Sequence, residues 1–167
     1  MTGFLRRRRE SLADAEVAPG ERPIAHARTP SGAPVVVTAE ALYLPQRSGE
    51  VRRLAWEQVV HAAWESPVLE VLEAGVAVPN RVLLDAPGRV PEAVRERVTS
   101  SIVVSERVIL ASGPDGDVGA RISGRRQADS TDLHWTVTFD HGLDPADPFL
   151  RAAADRELAR MRDWYGP

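Results

Sequence analysis

The 167-residue chain contains no cysteine and no lysine. The first absence removes disulfides, thiolate–metal ligands and cysteine nucleophiles, so the fold rests on packing alone. The second removes Schiff-base and P-loop lysine chemistry, since all 21 basic residues are arginine. Aromatic residues are sparse, at 5%. No apolar run approaches the ~20 residues a membrane-spanning helix requires. A large excess of positive charge is missing as well: the net charge of −3 argues against a domain that neutralises many phosphates.

What remains is an ordinary folding composition, 43% hydrophobic and 27% charged, with the apolar residues spread along the chain. A single domain of this length buries roughly 70% of the surface its unfolded form exposes. The reducing cytoplasm is compatible with the lack of cysteine and is the expected compartment. Arg6, Arg7, Arg8 and Arg9 form the one dense basic run. The acidic stretch Glu10 to Glu16 follows them instead of an apolar core, so no export signal is expected. Residues 1–20 read as a short amphipathic helical appendage ended by Pro19-Gly20.

From Arg22 to Ala86 short β-like runs alternate with turn residues: Ile24 to Arg28, Val35 to Val37, Leu42 to Leu44, Val68 to Glu73 and Arg81 to Asp85. Pro91 then opens a helix, with Val90, Val94, Val98 and Ile102 as its apolar stripe. A second β segment runs from Ile102 to Phe139 and turns at Gly113 to Gly116. Its final strand alternates cleanly: Leu133, Trp135, Val137 and Phe139 on a packed face, His134, Thr136, Thr138 and Asp140 on a wet one. Asp144-Pro145-Ala146-Asp147-Pro148 is a helix start, and apolar residues at helical spacing carry that helix to Gly166.

The segments VVVTAEALYL, RLAWEQVVHAAW, VLEVLEA, RVLLDA and PEAVRERV together resemble a bacterial pleckstrin-homology-like domain. That resemblance implies an α+β fold, a bent antiparallel β-barrel or sheet capped by a helix, here with an added β-hairpin region and a C-terminal helix. It implies boundaries of 1–20 for the appendage, 21–101 for the PH-like unit and 102–167 for a hairpin-plus-helix segment packed on the same core. The whole chain, with IVVSERVIL and GLDPADPFLRAAADREL, is similar to a set of uncharacterised actinobacterial proteins. Relatives that bind phosphoinositides use basic residues between the first two strands. Here that loop, Thr29 to Pro34, has only Arg28 beside it.

Few residues invite a chemical role. Glu57 and His61 stand four apart and would share a face on a helix. Two residues fall short of a metal site, and a strand–bend–strand path through RLAWEQVVHAAW would make Trp56 and Trp64 packing residues and leave Glu57 and His61 at the surface. His134 and Asp140 are six residues apart, about 20 Å along a strand, and do not form one site. Asp115-Gly116-Asp117 matches only the start of a calcium loop, with Arg126 where the closing glutamate belongs. Arg125 and Arg126 flank a turn and have the same two readings as Arg6 to Arg9, a solvated charge or an anion contact. No catalytic residue, metal or cofactor is expected. The expectation is a non-enzymatic binding or scaffolding module whose partner is a protein segment or a second copy of the chain. The alternatives are peripheral anionic-lipid binding through Arg6, Arg7, Arg8 and Arg9, which is also the candidate binding set, and a hydrolase or metal enzyme using His61 with Glu57 or His134 with His141.

Overall fold

Glycine and proline turns cut the first half of the chain into short extended pieces, and each piece becomes a strand. The computed structural model describes residues 17–114, 116–126 and 130–167. In chain order the elements are β1 (Ala25–Arg28), β2 (Pro34–Val37), β3 (Ala41–Pro45), β4 (Val51–Ala55), a 3-10 turn (Trp56–Gln58), β5 (Val59–Glu65), β6 (Val68–Glu73), β7 (Asn80–Leu83), α1 (Val90–Ser101), β8 (Ile102–Gly113), β9 (Gly116–Arg126), β10 (Leu133–Phe139) and α2 (Pro148–Tyr165). They form three antiparallel sheets, ordered β1-β2-β3-β4, β5-β6-β7 and β10-β9-β8.

The class is therefore α+β, as expected. Among the described residues no barrel closes. The 3-10 turn takes the chain out of one ladder before β5 starts another, and no strand pairing joins the two sheets.

The first two sheets and α1 enclose one apolar cluster that includes Val35, Leu42, Leu44, Trp56, Leu69, Val71, Leu84, Val90 and Val94. Trp56 anchors it, fully enclosed, and its indole N–H donates to Thr38 O at 3.1 Å. Trp64 packs half-buried against the same cluster. The helical stripe needs one correction: Ile102 has already left α1, begins β8 and is exposed, whereas Ala93 joins Val90 and Val94 inside.

Residues 1–16 of the expected N-terminal appendage, Arg6 to Arg9 among them, lie outside the described residues. Residues 17–21 form a strap, not a helix. Val17 packs near Val36, Ala41 and Tyr43, and Glu21 ties the strap down. Its carboxylate accepts from Thr38 Oγ1 (2.7 Å), Tyr43 OH (3.0 Å) and Arg53 Nε (2.7 Å).

The second half does not extend the first core. Val104, Val108, Leu110, Ala120 and Ile122 form a separate cluster with Leu150, Ala153, Ala154 and Met161 of α2, so the shared core gives way to two. Asp147, rather than Asp144, caps α2; its Oδ1 accepts from the Phe149 and Leu150 amides.

Arg125 joins the halves. This side chain, read above as flanking a turn, is 3% exposed. Its guanidinium donates to Val98 O (2.9 Å) and Ser101 Oγ (2.8 Å) at the end of α1 and to Val60 O (2.8 Å) on β5. The last carbonyls of a helix lack intrahelical donors and carry its negative dipole end, which explains why a cation is accepted there without a carboxylate. Burial pushes the Arg125 guanidinium down from its ordinary value.

Candidate functional site

The residues singled out for chemistry are dispersed. Glu57 sits on the 3-10 turn with one carboxylate oxygen buried and unpartnered, while His61 points to solvent from β5. No hydrogen bond or ion pair joins them among the described residues. Their spacing of four matters only on a helix, and the chain here is bent and then extended.

His134 and His141 are exposed near opposite ends of β10, roughly 20 Å apart along the chain. Asp140 serves neither of them. Its Oδ2 accepts from Arg107 Nη2 at 2.6 Å and from the Gly119 amide at 2.9 Å. The Arg107 hydrogen bond is the main reason its carboxyl lies below the usual range, against a smaller opposing effect of burial. No group of three or more histidine and acidic residues suited to a metal occurs among the described residues. Arg28 donates to Gly32 O at 2.9 Å within its own loop. Asp115 lies outside the described residues; around it β8 and β9 make a hairpin, with Gly116 at φ 113°.

The structure instead draws attention to a groove of about 780 Å³ between the halves. One wall is Val60 with Leu72 to Ala77, the end of β6 and the turn towards β7. The other is β10, the Asp140–Leu143 turn and the start of α2, including Arg151, Ala154 and Asp155. Its size is that of a binding cleft, and its lining mixes apolar side chains with a few polar groups.

Two local features shape it. The turn Ala74-Gly75-Val76-Ala77-Val78-Pro79 carries no charge and leaves Val76 and Val78 exposed, at 46% and 73%. β10 is an outer strand; among the described residues β9 is the only strand it pairs with. Trp135 of β10 lies over Gly124, where an added Cβ would stand 3.1 Å from the indole ring, and its indole N–H is buried with no acceptor.

The acidic groups at the ends of the groove are occupied elsewhere. Glu73 pairs with Arg52, and Asp140 with Arg107. Arg151 and Asp155, one helical turn apart on α2, carry opposite charges. The groove therefore presents little net charge.

The sequence reading missed this site because nothing in an alternating pattern separates an outer strand from an inner one. The uncharged turn 74–79 was the available signal, since surface turns are usually built from polar residues. No family model, no curated protein and no solved structure matches the chain.

Proposed function

We propose that the protein is a non-enzymatic, cytoplasmic binding module that holds a segment of another protein in the groove between its halves. The carrying observation is the groove itself: an uncharged turn with exposed valines faces an outer strand. The order of the first half supports a PH-like origin, with four strands in one sheet, three in the next and then a helix. In this reading the PH-like unit is a platform, and the hairpin-plus-helix segment supplies the second wall of the site.

Selection of displayed random peptides on the immobilised protein tests the proposal, with V76D as the counter-target. Val76 is exposed, so the substitution leaves the core untouched and places a charge on the groove wall. Peptides should enrich on the native protein and bind V76D at least about tenfold more weakly, the cost of an unpaired charge at an apolar contact. Absence of enrichment, or equal binding to both proteins, overturns it.

A further inference from the structure

The two outer strands of the third sheet differ in how they meet potential partners. β8 carries Glu106 and Arg107 at its middle, and its pairing with β9 is interrupted between Ile102 and Val104 and again between Ile109 and Ala111. Charges and bulges are the usual means by which an exposed edge is kept from pairing. β10 has neither device. Its sequence is Leu-His-Trp-Thr-Val-Thr-Phe, with no formal charge at neutral pH, and it pairs with β9 without a break from Leu133 to Phe139.

The direction of the backbone groups of β10 follows from two hydrogen bonds. The Asp140 amide donates to Gly119 O at 3.0 Å, so the positions in phase with Asp140, namely 134, 136 and 138, turn their amides and carbonyls towards β9. Antiparallel pairs alternate, which turns those of 133, 135, 137 and 139 outwards. The second bond agrees: the Leu133 amide donates to Pro167 O at 2.8 Å, away from β9. The first outward position is thus filled by the chain's own carbonyl. Trp135, Val137 and Phe139 continue the same row into the groove.

Resting on the binding-module reading, we infer that the groove takes its ligand as an added β-strand, an extended uncharged peptide segment that pairs with the outward backbone groups of Trp135, Val137 and Phe139. These positions span four residue steps, about 13 Å, the length of a five-residue strand. Backbone pairing supplies affinity, and alternate side chains of the segment meet the two walls. One alternation faces Val60, Leu72 and Val76, favouring branched apolar residues. Because the acids at the ends are already paired and Arg151 and Asp155 offset each other, the segment is neutral. A second folded copy is a poor occupant, since its own edge would arrive flanked by chain and the strand is recessed between the 72–77 turn and α2.

The test uses a peptide from the selection above and methylates its backbone nitrogens one at a time. N-methylation removes a donor without altering a side chain, so strand addition predicts an alternating result. Methyl groups on nitrogens facing β10 weaken binding at least about fivefold, and those on the intervening nitrogens leave it within about twofold. On the protein, V137P removes an outward amide and trims a half-buried side chain while leaving the β9 ladder intact, so it should fold and lose affinity. Should V137P not fold, hydrogen exchange of the native protein substitutes for it: the Trp135, Val137 and Phe139 amides gain protection with peptide bound. A peptide that binds V76D-sensitively but tolerates methylation at every position, with no such protection, overturns strand addition while the binding-module reading stands. Failure to select any peptide overturns both.

Discussion

The interior of the first half and the seam between the halves are built from different chemistry. Among the described residues before the last residue of α1, Thr38 is the only polar or charged residue buried as a whole; Ser101, Ser123, Arg125 and Thr136 are all buried at the seam and in the third sheet. A dry cluster supplies free energy in proportion to the apolar area it buries. Buried polar groups supply little net stability but demand their partners, so they fix one arrangement of the elements around them. Stability is thus concentrated in the first half, and alignment of the groove walls in Arg125, which bonds β5 and α1 from β9.

The contrast breaks most visibly in the dry cluster. Leu69 is 1% exposed and packs among Val59, Val71 and Val82. L69A should cost about 3 kcal/mol and lower the melting temperature by about 6–12 °C. Urea melts monitored by circular dichroism measure this, and a cost under about 1 kcal/mol would show that the cluster collapses around the deletion.

R125M probes the seam. It retains much of the apolar volume but removes the donors to Val98 O, Ser101 Oγ and Val60 O, leaving Ser101 Oγ and Val98 O only their bond to each other, so a loss of about 2 kcal/mol is expected. Its distinctive effect is on alignment. Amide exchange should accelerate in β5 and at the end of α1 relative to β2 and β3, whose environment is unchanged. A variant as stable as the native protein, with uniform exchange, would mean that the seam tolerates an apolar replacement and does not depend on its polar bonds.

What the sequence disclosed divides along the same line. Strands β1 to β7, the bend at Trp56 and the face of β10 carrying Leu133, Trp135, Val137 and Phe139 were legible because apolar periodicity and turn residues are local signals. Even there one detail escaped: Thr136, on the face expected to be wet, is 7% exposed because the sheet face it shares with Ser123 lies at the seam. Arg125 looked like a surface charge because a buried arginine has no signature of its own. Its acceptors are two backbone carbonyls 27 and 65 residues away and the Ser101 hydroxyl 24 residues away, and only the fold brings them together. The groove was hidden for a related reason, since strand order within a sheet is a tertiary fact. Glu21 was hidden likewise, with partners 17, 22 and 32 residues distant.

Glu21 provides the smallest and sharpest test, because it is a polar cluster attached to the dry half from outside. Burial alone would raise its pKa, but hydrogen bonds from Thr38, Arg53 and Tyr43 outweigh that and the net shift is downwards. A carboxyl with a depressed folded pKa contributes stability above its unfolded value, near pH 4, and loses it as the pH falls through the folded value. E21Q removes the charge while preserving the shape, and should cost about 1 kcal/mol at neutral pH. Once the pH has fallen through the folded value, the native carboxyl is protonated as well and the two proteins should converge. Asp140 also has a depressed carboxyl, but it is present in both proteins and drops out of the difference. Urea melts of the pair across this range therefore isolate the strap, and a gap that persisted in acid would show that the loss comes from placing an amide NH2 against the donors of Thr38, Tyr43 and Arg53 and not from the missing charge.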